Sequence, residues 1–175
     1  LIQDLTPVRL RAFNADTADR EGVRYGCVVT GAPPPRLSLR LLLTPDALLN
    51  GLFAVLHAKS APLSRELQVP ERTPAQTQAL QDVFGRRFES RSDGIVPSRA
   101  QVWGQVLHVA TADHLDVTGH FDQPPEHISW LKSGSRFQEP QFQAMWDRVI
   151  DFTVGGAAAT VHPGNEEAQR LSVDG

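Results

Sequence analysis

The chain has 175 residues, of which 41% are hydrophobic and 21% charged, and its formal net charge is −3. This composition is ordinary for a globular domain and lacks the clustered basic and aromatic residues of a nucleic-acid-binding surface. The longest apolar stretches, residues 41–43 and 51–56, fall far short of the roughly 20 residues that span a bilayer. Because Cys27 is the only cysteine, an internal disulfide is excluded.

The first part of the chain predicts a helix, a strand and a second helix. Thr6 can cap a helix that begins at Pro7, where the missing N–H costs nothing, and that is expected to end near Asn14. Residues 22–30 then predict a buried strand that places Val23, Tyr25, Cys27 and Val29 on one side. A second Thr-Pro pair, Thr44-Pro45, predicts the start of a helix over residues 45–58 with a broad apolar surface.

The rest of the chain predicts two further helices and a second strand. A capping box begins the third helix at Thr73-Pro74, and Gly85 ends it. A helical turn over residues 98–104 precedes a weaker strand candidate at 106–111, where periodicity alone does not separate helix from strand. The last helix is predicted from Pro140 to Gly155 by apolar residues at helical spacing, namely Phe142, Met145, Trp146, Val149 and Ile150.

Segments of low order are expected between and after these elements. Residues 32–35 and 61–70 are rich in proline and predict loops. Residues 156–175 are small and polar with little apolar content, and we expect them to form a mobile tail.

The predicted elements indicate part of an α/β domain. Two strands about 80 residues apart cannot form a stable sheet without neighbours, because about three or more are needed. The only methionine is Met145, so the sequence has no initiator. We therefore expect residues 1–155 to be the later part of an α/β sheet domain, with further strands preceding Leu1.

Two short motifs could carry chemistry. Residues 92–97, Ser-Asp-Gly-Ile-Val-Pro, present the Asp93 carboxylate on a tight turn. Residues 112–116, Ala-Asp-His-Leu-Asp, place the His114 imidazole after a probable strand, 21 residues further on. Taken singly, Asp93 is better explained as a turn residue and His114 as a surface histidine. An acid followed by a base is, however, the order in which the α/β-hydrolase triad ends.

The motifs together resemble a known family. With Thr6-Pro7, Phe13-Asn14 and Gly22-Val23-Arg24-Tyr25 before them, they resemble the second half of bacterial triacylglycerol lipases and related esterases over residues 1–155. The resemblance implies the C-terminal part of an α/β-hydrolase fold, with Asp93 as triad acid and His114 as general base. It allows residues 41–70 to form a cap over an acyl pocket, with the equal alternative that the helix at 45–58 packs on the sheet, and it allows a secreted protein.

The nucleophile that the family requires is missing from this sequence. No Gly-x-Ser-x-Gly motif occurs, and Ser135 is not followed by glycine two residues later. We therefore expect a carboxylic-ester hydrolase whose serine lies upstream of Leu1, and we expect the chain alone to be inactive. The chemistry of such a triad needs no cofactor.

The resemblance also implies a structural calcium ion. In the family, the position of Asp116 helps to hold calcium near the histidine loop. Calcium needs six or more oxygen ligands, and His120 and Pro124 stand where further ligands would be expected. The alternative is that Asp116 only caps the turn after His114.

Two other functions remain open from the sequence. One is a binding module that kept the hydrolase fold and lost its chemistry. The other is a metal-dependent hydrolase, because residues 108–127 contain several His and Asp side chains, although their spacing matches no compact ligand motif.

Overall fold

The chain is a mixed α/β structure in a computed structural model that describes residues 6–35, 46–67, 69–121 and 129–159. Within these residues it has four α-helices and two β-strands: α1 Pro7–Asp16, β1 Gly26–Thr30, α2 Ala47–Glu66, α3 Pro74–Phe84, β2 Gln105–Ala110 and α4 Glu139–Ala159. Short 3-10 helices lie at Gly85–Ser90, Ser98–Gln101 and Asp116–Thr118.

The two strands pair in parallel. Gly26 lies opposite Gln105 and Thr30 opposite Ala110, with an irregularity in register between Cys27 and Val28. The carboxyl ends of parallel strands meet at the same edge of a sheet, so the loops that follow Thr30 and Ala110 leave side by side. This edge is where ligands bind in open α/β sheets.

Helices α3 and α4 lie on opposite faces of the sheet. Side chains of a strand alternate between faces, and Val29 packs with Leu80 and Phe84 of α3. Val28 points the other way, into a cavity that it shares with Met145 of α4. A parallel pair with a helix on each face is the layer pattern of an α/β protein.

Much apolar surface stays exposed in the described residues. On α1, Val8 is 73% exposed and Phe13 is 61% exposed. On α4, Ile150 and Val154 are also exposed. In the part of the chain that the structure describes, no helix combines the length and apolar character of a membrane span.

Several predicted elements are confirmed. Both hydrogen bonds of the capping box at Thr73 and Gln76 are present, and α3 ends before Gly85 as expected. The second strand, at Gln105–Ala110, lies within one residue of its predicted bounds.

Other predicted bounds are wrong. The first strand begins only at Gly26, since residues 21 and 22 form a turn and residues 23–25 have no regular secondary structure. Helix α2 begins at Ala47 and continues to Glu66 with Pro62 inside it, so the predicted loop at 61–70 is wrong over its first six residues. The ring of Pro62 removes one N–H near the helix end, and the preceding turns are held by buried Phe53 and Ser60.

The last helix is also longer than predicted. Helix α4 passes Gly155 and ends at Ala159, because the Gly155-Gly156 pair weakens the helix without stopping it and three alanines, which favour helix, follow. The predicted tail therefore loses its first four residues to α4. Residues 160–175, the Thr44-Pro45 helix start and Pro124 lie outside the described residues.

Candidate functional site

The Asp93 carboxylate is held by its own turn. Its Oδ1 atom accepts hydrogen bonds from the backbone N–H groups of Ile95 at 2.9 Å and Val96 at 2.7 Å. Gly94 has φ +99°, and a Cβ atom there would lie 2.7 Å from the ring of Phe53. Only glycine suits this position, since it needs both a left-handed backbone and the space that α2 leaves. The turn thus fixes the carboxylate in a buried position.

The loop that carries His114 is braced by two buried carboxylates. Oδ1 of Asp113 accepts from the N–H groups of Leu115 and Asp116, and Oδ2 of Asp116 accepts from the N–H of Asp113 at 2.8 Å. Burial raises the pKa of Asp113, while its hydrogen bonds from Ser133 and from the backbone lower it. The backbone N–H of His114 also donates to the backbone carbonyl of Asp93 at 3.0 Å. The two loops are therefore joined through the backbone as well as through side chains.

The structure brings the two predicted site residues together. Nδ1 of His114 lies 2.9 Å from Oδ2 of Asp93. The Asp93 side chain is 4% exposed, whereas that of His114 is 42% exposed. An ionised carboxylate only accepts, so Nδ1 carries the proton and Nε2 is the nitrogen that can accept one. This is the geometry of a carboxylate that orients a general base.

The pKa of His114 is raised above the ordinary histidine value. The hydrogen bond to Asp93 raises it most, burial of the ring opposes this, and the charges of Asp93 and Asp113 raise it further. In this environment His114 has a higher affinity for a proton than an ordinary histidine has.

An apolar cavity lies beside the pair. Its volume is about 390 Å³, and both Asp93 and His114 line it. The remaining wall is largely aliphatic and aromatic, and its apolar members come from β1, from the Asp93 turn and from helices: Val28, Val96, Val117, Met145, Trp146 and Val149. An apolar cavity with a few converging polar groups is the usual form of a small-molecule site.

Sequence reasoning missed three residues of this site. Thr30 and Gln101 hydrogen-bond to the Asp93 carboxylate, and Trp146 lines the cavity. The sequence predicts Trp146 only as part of the apolar spacing of α4, and that spacing gives no sign of the cavity. Gln101 lies eight residues after Asp93 in a turn that has no motif of its own. Only the fold brings these side chains to one place.

The buried carboxylate of Asp116 accepts hydrogen bonds that hold the His114 loop. It is 2% exposed, and its Oδ2 accepts from the Ser135 hydroxyl at 2.7 Å as well as from Asp113. His120 is exposed and its ring meets that of Trp130. Among the described residues, no three His, Cys, Asp or Glu side chains converge as a metal site would need. The calcium site therefore stays a prediction.

Comparisons of the chain with protein-family models, with curated proteins and with solved structures find no match. A functional assignment therefore depends on the geometry of the site and on the sequence motifs that form it.

Proposed function

We propose that this chain supplies the acid and the base of a Ser-His-Asp triad in a carboxylic-ester hydrolase. The observation that carries the proposal is the 2.9 Å hydrogen bond between a buried Asp93 carboxylate and Nδ1 of a half-exposed His114, at the wall of an apolar cavity. The resemblance of the same motifs to bacterial triacylglycerol lipases supports the choice of an ester as substrate. The cavity supports an apolar acyl or alcohol group.

In the proposed reaction, a serine hydroxyl attacks the ester carbonyl while Nε2 of His114 accepts the hydroxyl proton. The Asp93 carboxylate stabilises the imidazolium that forms. His114 then gives that proton to the departing alkoxide, which leaves as the alcohol. A water molecule next attacks the acyl-serine ester and gives its proton to His114, and the serine recovers a proton from His114 when the carboxylic acid leaves.

We propose that the serine, the oxyanion-hole donors and further strands come from polypeptide outside residues 1–175. The described residues contribute two parallel strands, and such a pair is too small to be stable alone. The exposed apolar side chains of α1 and α4 offer surface for additional elements of an α/β-hydrolase domain.

A second candidate is a binding module without hydrolytic chemistry. The apolar cavity alone would suffice for such a module, and it does not require His114 to accept a proton. The two candidates differ in whether a nucleophilic serine is present and activated.

The test uses the complete protein and a chromogenic short-chain ester. We expect turnover, labelling of one serine by a fluorophosphonate, and loss of turnover by at least ~1,000-fold in His114→Ala. The matched control is His120→Ala, which removes an exposed histidine of the same loop region. Equal turnover in His114→Ala and His120→Ala would disprove the triad assignment. Absence of both turnover and labelling would favour the binding module.

A further inference from the structure

Gln101 connects the Asp93 turn to the end of β1. It is the last residue of the 3-10 helix Ser98–Gln101, and its half-buried side chain lines the cavity. Its Oε1 atom accepts from the Thr30 N–H at 2.7 Å and lies 3.1 Å from the Thr30 hydroxyl. Its Nε2 atom donates to the Val96 carbonyl at 3.1 Å and to Asp93 Oδ2 at 3.2 Å. The side-chain amide of Gln101 therefore hydrogen-bonds to β1, to the Asp93 turn and to the Asp93 carboxylate.

The backbone fixes which way this amide points. A backbone N–H can only donate and a backbone carbonyl can only accept, so Thr30 selects the amide oxygen and Val96 selects the amide nitrogen. With Val96 taking one hydrogen of the NH₂ group, the other is directed at Asp93. The donor to Asp93 Oδ2 is thus set by two contacts that do not involve the carboxylate.

Gln101 also lies at the edge of β1 that does not pair with β2, beside Thr30, the last residue of the strand. The Gly31 N–H donates to Ala110 of β2, and successive N–H groups of a strand point to opposite edges. The Thr30 N–H therefore points away from β2, where a further strand would pair, and the amide oxygen of Gln101 satisfies it. A strand added to this edge would have to end its pairing before Thr30.

Oδ2 is the oxygen of Asp93 that faces His114. Oδ1 is anchored by the N–H groups of its turn, so rotation of the carboxylate would move Oδ2 away from Nδ1. Besides His114, Oδ2 has Gln101 at 3.2 Å and the Thr30 hydroxyl at 3.4 Å. The Thr30 hydroxyl has a single hydrogen and lies closer to Gln101 than to Asp93. The amide of Gln101 is therefore the better-placed of the two donors to Oδ2 of Asp93.

We propose that Gln101 is the positioning residue of the Asp93–His114 pair: it holds Oδ2 against Nδ1 of His114 and closes the open edge of β1 at the same point. The inference rests on the proposed triad for its effect on turnover. Its effect on His114 itself does not depend on a serine.

The test compares Gln101→Met with Gln105→Met in the complete protein. Methionine keeps the length of the side chain and removes both the donor and the acceptor, and Gln105 is an exposed glutamine at the opposite end of the sheet. The pKa of His114 is measured by NMR of labelled histidine, and kcat and KM are measured with a short-chain ester. We expect Gln101→Met to lower the pKa of His114 and to reduce kcat about 10- to 100-fold with little change in KM.

A third variant shows whether Gln101 acts through the carboxylate. In an Asp93→Asn background, Gln101→Met should leave the pKa of His114 unchanged, because the hydrogen bond that it supports is already lost. If Gln101→Met does not fold, Gln101→Asn replaces it, since the shorter amide cannot span Thr30 and Asp93 and should change the pKa in the same direction.

Two results would overturn the inference: an unchanged His114 pKa in the Gln101 variants, or an equal shift in the Asp93→Asn background. A His114 pKa that responds as expected in a protein without esterase turnover would support the positioning role and reject the proposed function.

Discussion

Asp93 and His114 lie in different surroundings, and each environment suits the role proposed for that side chain. The carboxylate is buried and accepts hydrogen bonds at both oxygens, so its orientation is fixed before any substrate binds. The imidazole is half-exposed and faces a cavity, so its second nitrogen can reach a substrate. A fixed acceptor behind a reachable base is what proton transfer in a triad requires.

At this scale we predict that Asp93→Asn lowers kcat for a short-chain ester by about 10⁴-fold, because the amide favours the wrong tautomer of His114. Asp82→Asn, at an exposed position on α3, is the control and should leave kcat unchanged. Circular dichroism should show that both variants fold. Turnover within threefold of the parent in Asp93→Asn would contradict the role of Asp93.

The raised pKa of His114 predicts the pH dependence. His114 must be neutral to accept a proton, so kcat/KM should rise with pH through a midpoint above the ordinary histidine value. Asp93→Asn should move that midpoint down, because the hydrogen bond that raises the pKa is weakened. The pair also stabilises the fold while His114 is protonated; this contribution is present below the ordinary histidine pKa and is lost as pH rises through the raised value. A pH–rate profile checks the midpoint, and one at or below the ordinary value would refute it.

Side-chain hydrogen bonds hold the loop that follows β2. Oδ1 of Asp113 satisfies two backbone N–H groups in the turn after His114, and its Oδ2 accepts from the Ser133 hydroxyl at 2.6 Å. Asp116 and Ser135 form a second link between the same segments. These links hold residues 113–116 against residues 133–135, so the position of His114 depends on both segments.

We predict that Asp113→Ala destabilises the fold by about 3 kcal/mol, because it leaves a buried N–H, a part-buried N–H and the buried Ser133 hydroxyl without their acceptor. Asp147→Ala, on the exposed side of α4, should change the free energy of unfolding by less than about 0.5 kcal/mol. Urea unfolding monitored by tryptophan fluorescence measures both variants. A loss under 1 kcal/mol in Asp113→Ala would show that the loop is held by other contacts.

The whole molecule combines a well-packed sheet region with uncovered apolar surface. Val29 and Leu80 are fully buried between β1 and α3, whereas the apolar side chains of α1 are exposed. A sheet of two parallel strands cannot by itself supply the burial that such a domain needs. The distribution of burial supports our proposal that other elements complete the domain.

At this scale we predict that residues 1–175 alone hydrolyse no ester, and that they bind a hydrophobic dye such as ANS more strongly than the complete protein does. In the complete protein, added strands and helices should cover the exposed surface of α1 and α4. Fluorescence titration with the dye and an ester assay on both proteins provide the comparison. Ester turnover by residues 1–175 that survives His114→Ala would contradict the proposed use of an outside serine.

The sequence by itself determined those features whose signals are local. The Asp93 turn, the capping box at Thr73 and the period of α4 each arise from residues within a few positions of one another. The resemblance carried by the acid and base motifs implied that Asp93 and His114 interact, and the structure places them 2.9 Å apart. The ends of elements were predicted less well. Helix α2 continues through Pro62 and α4 through Gly155, because packing and neighbouring helix-favouring residues outweigh the residues that weaken a helix.

Only the tertiary structure decided what reaches Asp93 and His114 from a distance. The 3-10 helix Ser98–Gln101 packs against β1 on the edge away from β2, and this brings Gln101 to Thr30, 71 residues earlier in the chain, and to the Asp93 carboxylate. The cavity likewise needs Val28 from the strand and Met145 from α4 on the same side of the sheet. Such contacts depend on strand register and helix placement, and neither is encoded in the spacing of nearby residues.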